Sequence, residues 1–201
     1  MITIVDCGIN NLRSVQKAFE HLGSAVLVTR DPNVVAKAEK IVLPGVGAFA
    51  AAMKSLNDAQ LVEPLLSRIG EGVPFLGICL AQQLLFDWSE ELGLSAGLGV
   101  VSGKVVHLPD APGLKIPHIG WSALHFPRTS RLMRGLDDGA MVYFVHSYHA
   151  IPDDSDAIAA TGAHGIPFAA AIERDNVMAT QFHPEKSSAV GLHILKNFAE
   201  I

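Results

Sequence analysis

The sequence predicts an α/β fold: a doubly wound, mostly parallel sheet, extended by antiparallel strands in the C-terminal half. Three observations predict it. Short apolar or β-branched runs alternate with amphipathic segments over the first half of the chain, as in parallel strands joined by helical crossovers. Hydrophobic residues make up 49% of the 201 and charged residues 17%, enough apolar material to cover both faces of a sheet. From about Val100 the punctuation changes: Gly97, Gly99, Gly103, Pro109, Pro112 and Gly113 break up shorter β-like runs.

The elements follow in order. Residues 2–5 form a first strand, ending at Asp6-Cys7-Gly8-Ile9-Asn10-Asn11. Leu12, Val15, Phe19 and Leu22 then make an apolar stripe at helical spacing, stopped by Gly23. Residues 25–29 are a second strand. Asp31 and Pro32 open a short helix as N-cap and first helical residue. A third strand, 41–43, ends in Pro44-Gly45-Val46-Gly47, and helices are expected around 49–56 and 61–68. Strand 75–79 follows. Further strands are expected at 141–146, 157–161, 168–172 and 177–182, and a helix at 190–198 closes the chain. The whole is expected to fold as a single domain over residues 1–201, flavodoxin-like in its parallel half. In such sheets ligands bind at the carboxyl ends of strands, so the Gly8 loop, the 44–47 loop and Cys79 are expected on one rim.

Composition narrows the function classes. Net charge is −5 with histidines neutral, and there is no long basic run, which argues against a nucleic-acid partner. Cys7 and Cys79 are far apart and outside any CxxC pair, so neither a disulfide scaffold nor a zinc knuckle is indicated. Without an apolar stretch of about 18 residues or a charged leader, a cytosolic protein with no membrane association is expected.

The chemistry is concentrated where the strand 75–79 runs into a helical pattern (Leu80, Leu84, Leu85) with no loop between. Cys79 sits at the join. A turn that abrupt holds a side chain out above the sheet edge, as in a nucleophile elbow. Gly77 leaves room for it, and the small Ala81 stands where the helix must approach the strand. A helix N-terminus favours a thiolate, but only in part. Moving a thiol from a few per cent to nearly full ionisation at pH 7 takes roughly 4 kcal/mol, and a helix end supplies at most ~2. Without a partner, Cys79 would read as a buried small hydrophobe.

A candidate partner lies a hundred residues on, in His183-Pro184-Glu185-Lys186-Ser187. His183 ends a strand, Pro184 stiffens the turn, and Glu185 can hold the imidazole. A base oriented by a carboxylate is a general way to make a cysteine nucleophilic. The glycines of the 44–47 loop can turn backbone N–H groups toward an incoming oxygen. With the N–H of Leu80, those of Val46 and Gly47 make a candidate oxyanion hole, and glycine lets a peptide turn over at low steric cost.

Taken together, Gly77-Ile78-Cys79-Leu80-Ala81-Gln82-Gln83 and Gln181-Phe182-His183-Pro184-Glu185 resemble the class I (triad) glutamine amidotransferases. The segments 43–49, Pro117-His118-Ile119-Gly120-Trp121, Tyr143-Phe144-Val145-His146-Ser147-Tyr148 and His183 to Ser187 are most similar to the glutaminase subunits of imidazole glycerol phosphate synthases. The resemblance spans the whole chain. Three positions depart from it. Ala81 replaces the usual glycine, Cys7 stands at an aromatic position, and Asn10 replaces a common glycine.

The resemblance implies that Cys79 attacks the glutamine carboxamide, that His183 moves the proton and that Glu185 fixes its tautomer. It implies Gly47, Gln83, Glu91, Ser147 and Tyr148 as substrate-binding residues, and Pro117, His118, Trp121 and Lys186 as docking elements. It implies no cofactor and no metal. Ammonia must stay neutral and out of bulk water to react. A heterodimer with a (β/α)8-barrel cyclase subunit is therefore implied, making imidazole glycerol phosphate and an aminoimidazole carboxamide ribotide in histidine biosynthesis. Three alternatives are a glutaminase subunit of another synthase, such as the pyridoxal phosphate one, a catalytically weak regulatory binding subunit, and a flavodoxin-like FMN carrier. The loop Pro44-Gly45-Val46-Gly47 speaks against the first, and the lack of a Ser/Thr-rich loop after the first strand against the last.

Overall fold

The computed structural model describes residues 1–8, 12–110 and 113–201; Ile9, Asn10, Asn11, Ala111 and Pro112 lie outside the described residues, and with them the Asn10 departure. The central sheet has seven strands. Four of its parallel strands are β1 (Ile2–Val5), β2 (Val26–Thr29), β3 (Ile41–Gly45) and β4 (Phe75–Cys79). The crossovers are helical: α1 (Leu12–His21), α2 (Pro32–Val35), α3 (Phe49–Asp58) and α4 (Val62–Gly70). Sequence signals explain the ends. Gly23 takes φ +79° just past α1. Asp31 Oδ1 accepts from Asn33 N at 2.8 Å, with Pro32 at the first helical position of α2.

After β4 comes α5 (Leu80–Leu84), only five residues long, so that Leu85 of the helical pattern falls just past its end. The chain then turns into β5 (Phe86–Ser89), with Leu85 and Phe86 both fully buried in the same core cluster. That sheet, in the order β10-β7-β5-β6, contains β6 (Ser95–Ala96), β7 (Val101–His107) and β10 (Tyr148–Pro152). A separate ribbon pairs β8 (His118–Ala123) with β9 (Met141–His146). The C-terminal half therefore extends the central sheet only in part. β11 (Ile158–His164) and β12 (Ile166–Arg174) add the antiparallel edge, while β13 (Val177–Thr180) runs parallel to β4. The closing helix α6 (Ser188–Glu200) is longer than its apolar stripe, and Lys40 Nζ caps its end by donating to the carbonyls of Phe198 and Ala199 at 3.3 and 2.6 Å.

Two apolar clusters pack on opposite faces of the sheet, and strand residues alternate between them. Ile41 and Leu43 join α3, α4 and α5 on one side; Val42 joins α1 and α6 on the other. Each fully buried Leu, Ile or Phe contributes about 1.5–3 kcal/mol. β4 lies between β3 and β13, all three parallel. Gly45 pairs with Cys79 on one side, and Thr180 with Ile78 on the other. The ends of three strands thus bring the 46–47 loop, Cys79 and the 181–183 segment to one edge.

Candidate active site

Cys79 ends β4 with φ 57° and ψ −110°, a conformation that an L residue with a Cβ rarely adopts and that costs on the order of 1–3 kcal/mol. The strand–helix junction imposes it. A Cβ at Gly77 would stand 3.2 Å from the Ala81 carbonyl carbon and oxygen, and one at Gly45 would stand 3.1 Å from the Ala81 nitrogen. Two strands give up their side chains so that α5 can start directly on Cys79. Ala81 itself is fully buried and packs into the core cluster that holds Leu43, Phe49 and Leu84, so its methyl group is accommodated there.

His183 follows β13 at the start of a 3-10 turn, Pro184–Lys186. Its backbone is fixed at both ends: N donates to the Tyr143 carbonyl at 3.0 Å, and the carbonyl accepts from Ser187 Oγ at 2.7 Å. Nδ1 lies 2.8 Å from Glu185 Oε1, and the two side chains are 4% and 0% exposed. Because the carboxylate can only accept, Nδ1 carries the hydrogen, and the other ring nitrogen faces Cys79. Burial pushes the imidazole down. Hydrogen bonds with Cys79 and Glu185, and the charges they carry, outweigh burial and raise it to about 10. At neutral pH the arrangement is an imidazolium held between a sulfur and a carboxylate.

A cavity of about 310 Å³ opens on the sulfur. Gly47, Gln83, Glu91, Ser147 and Tyr148, all expected from the sequence, line it, as do Val46 and Leu80. Gly47 has φ +97°, which glycine tolerates. Gln83, 5% exposed, donates from Nε2 to the Tyr148 carbonyl at 2.9 Å. Glu91 comes from the β5–β6 hairpin, and its Oε2 accepts from Phe49 N at 2.6 Å. It thereby caps α3, whose own preceding residue is Ala48. Ser147 is the single residue between β9 and β10, where the chain leaves the ribbon for the second sheet. Burial and the charges of Glu91 and Glu90 raise the Tyr148 hydroxyl, keeping it protonated.

The expected docking residues divide. Pro117 and Lys186 line the mouth of the cavity. Trp121 is 48% exposed and Ile119 59%, on the outer face of the ribbon. His118 does not join them. It is 4% exposed, stacked 5.0 Å from the Phe144 ring and 4.2 Å from His164. Strand alternation is the reason, since positions 118 and 120 face inward when 119 and 121 face out. Val145 and His146 line the cavity as well; sequence reasoning had not placed them there. Gln181, also not singled out, is fully buried with Nε2 4.0 Å from the Cys79 sulfur. Its signal was its place beside Cys79 in the strand register, which sequence alone does not supply. Among the described residues, no group of three or more His, Cys, Asp or Glu side chains is placed to hold a metal, and no helix is long and apolar enough to cross a membrane.

Comparison with known proteins adds the family. The family model for class-I glutamine amidotransferases matches residues 3–201. The imidazole glycerol phosphate synthase subunit HisH of Syntrophotalea carbinolica is 53% identical over the full length of both chains. HisH of Geobacter sulfurreducens is 54% identical, covering all of this chain and 98% of that one. Among solved structures, a glutamine amidotransferase superimposes with a TM-score of 0.77 at 17% identity, over 100% of this chain and 99% of that one. PurLQS from Thermotoga maritima does so with 0.72 at 15%, over 99% and 97%. These last two bear on the fold alone. The chain belongs to the class-I glutamine amidotransferases and, within them, to the HisH subunits of imidazole glycerol phosphate synthase.

Proposed function

We propose that this chain hydrolyses glutamine at Cys79 and passes the ammonia to a cyclase subunit that makes imidazole glycerol phosphate and an aminoimidazole carboxamide ribotide. The observation that carries the reading is the buried Cys79–His183–Glu185 line opening on a cavity lined by Gly47, Gln83, Glu91, Ser147 and Tyr148. At about 310 Å³, the cavity is near the lower end of the ~300–1,000 Å³ range of ligand sites, a size that suits an amino acid.

In this reading the Cys79 thiolate attacks the carboxamide carbon. The oxyanion that develops is met by N–H groups of Val46, Gly47 and Leu80. His183 gives its proton to the departing ammonia, leaving a thioester. It then takes a proton from the water that releases glutamate. Glu185 keeps Nδ1 protonated, so that the nitrogen facing Cys79 is the one that exchanges protons. Glu91, with one oxygen engaged by α3, offers the other to the substrate ammonium. Gln83, Ser147 and Tyr148 enclose the rest. The positive φ of Gly47 supports a peptide that can turn over, so that the oxyanion hole is completed only when the partner and its ligand are bound. Equal glutaminase rates with and without them would remove that part.

The docking surface is the outer face of the ribbon. Ile119, Trp121 and Met141 are all exposed there, and register sets Ile119 opposite the cavity-lining Val145 and Trp121 opposite Tyr143. Pro117 and Lys186 continue the surface to the cavity mouth, so a partner seated on it covers the exit and keeps ammonia from water. A Cys79→Ala variant in the complex tests the assignment. Glutamine-dependent synthesis is expected to be lost while ammonia-dependent synthesis persists. Loss of both, or of neither, would refute it.

A further inference from the structure

We propose that Gln181 donates a hydrogen bond to the Cys79 sulfur and is a further catalytic residue of this site, held in that orientation through Gln83 by the Tyr148 carbonyl. The proposal rests on the reading of Cys79 as the nucleophile and adds a second group at the sulfur besides His183.

Position comes first. β13 runs parallel to β4 with Thr180 opposite Ile78. The next residue, Gln181, therefore lies beside the next residue of β4, which is Cys79. Gln181 is fully buried, and its Nε2 lies 4.0 Å from the sulfur, within reach of an N–H donor because sulfur is large.

Orientation comes next, and one backbone oxygen settles it. The Tyr148 carbonyl can only accept. The Gln83 amide atom 2.9 Å from it must therefore be nitrogen. Turning that amide over would set two oxygens against each other. The same nitrogen has a second hydrogen, directed at Gln181 at 3.0 Å. Gln181 must answer with Oε1, because an NH2 there would face another NH2. With its oxygen committed to Gln83, Gln181 has only its NH2 left to present to Cys79. It can donate to the sulfur and cannot accept from a thiol hydrogen. A group that only donates favours the ionised sulfur over the neutral one.

The anchor is held from its other side too. His146 Nδ1 lies 2.9 Å from the same Tyr148 carbonyl and so carries the hydrogen. His146 Nε2 then accepts from His118 Nδ1 at 3.0 Å, and His118 Nε2 accepts from Ser122 Oγ at 2.9 Å. Burial keeps both rings neutral, with His146 lowered to about 3 and His118 to about 4, as this single proton pattern requires. Two donors keep the carbonyl in place and, through it, the two amides.

The test compares the full-length chain with its Gln181→Met and Gln181→Glu variants by the rate of iodoacetamide alkylation at Cys79, read by mass of the modified peptide. Met keeps size and removes both polar atoms. Glu keeps the acceptor for Gln83 and replaces only the donor. The titratable groups around the sulfur are His183 and, across the cavity, His146, Tyr148, Glu91 and Lys186; neither substitution alters them. On the acid limb of the alkylation profile, at or below about pH 6.5 where protons compete for the sulfur, alkylation of Gln181→Met is expected to be about tenfold slower than in the unsubstituted chain, the weak end of what one charge-assisted hydrogen bond gives. Near pH 9.5, where solution alone ionises a thiol, the rates should agree within about twofold. Gln181→Glu should be slower still near pH 6.5, since an ionised carboxylate opposes a neighbouring thiolate; an unchanged rate in that variant overturns the contact with the sulfur even if the Met variant does not fold. Unchanged rates in both variants, or an equal loss at both pH values, would overturn the proposal. His183→Ala is run alongside. If alkylation is indifferent to His183, the nucleophile reading itself fails. If it depends on His183 but not on Gln181, only the present proposal fails.

Discussion

His183 and His146 line the same cavity, both are nearly out of water, at 3% and 6% exposure, and their imidazoles are driven in opposite directions. Burial alone pushes each toward the neutral form. His183 meets a carboxylate and a thiol, and these overcome burial and raise it to about 10. His146 meets another imidazole and a backbone carbonyl. Burial leads there, the carbonyl hydrogen bond offsets it in part, and the neighbouring histidines add to it, leaving His146 at about 3. Its partner His118, lowered by burial and by His164, sits at about 4. The depth of a histidine therefore says little about its charge; the chemistry of what it touches decides. One pair is suited to moving protons, the other to holding a strand with none to spare.

The sharpest way to break this contrast is to remove each histidine in turn. His183→Ala and Cys79→Ala are each expected to lower kcat for glutamine hydrolysis at least ~1,000-fold, as removal of one member of a nucleophile–base unit does. His146→Phe, which keeps a ring and loses the hydrogen bonds, is expected to stay within about tenfold, because both its ring nitrogens are taken up by the Tyr148 carbonyl and His118. A comparable loss in both would erase the distinction. Glu185→Gln comes second. It keeps the shape but offers Nδ1 an amide, and kcat should fall by ~100-fold or more. An effect confined to KM would mean that Glu185 shapes the pocket and does not fix the base.

How much of this was legible beforehand depends on the distance between the groups. Cys79, Glu185 and His183 could be read because each sits in a local pattern: a strand entering a helix without a loop, and a histidine with a carboxylate two residues on. The alternation of β and α segments likewise foretold the parallel half and the two-sided core. Gln181 and His146 could not be read. The role of Gln181 comes from contacts with Gln83 and Cys79, 98 and 102 positions away, and that of His146 from the His118 ring, 28 positions away across the ribbon. The split of the C-terminal strands among three sheets was hidden for the same reason, since strand runs do not announce their partners. His118 could have been assigned inward, because alternation with an exposed Trp121 requires it.

Stability against pH is the third probe. The His183 value stands above the ordinary 6.5, so its contribution is complete below about pH 6.5 and is lost as pH rises through about 10. The His118 and His146 values stand below it. Their folded forms refuse protons that the unfolded chain takes up, so stability falls as pH drops from about 6.5 toward 3. Urea midpoints across this span should show loss at both ends. His146→Phe should flatten the acid limb only, and Glu185→Gln should reduce the alkaline limb only. The smallest effect is expected from Ser122→Ala, which removes the hydroxyl at the end of the neutral pair. A loss of about 1 kcal/mol or less in urea unfolding, with glutaminase rates unchanged, fits a hydrogen bond of ordinary strength.

The most direct measurement is the titration of His183 by NMR in the isotopically labelled full chain, with Cys79→Ala beside it. The imidazole of His183 is expected to remain protonated throughout the range from about pH 5 to 8 and to release its proton at lower pH once the sulfur is gone. A midpoint near 6.5 that is the same with and without Cys79 would contradict the proton shared between them.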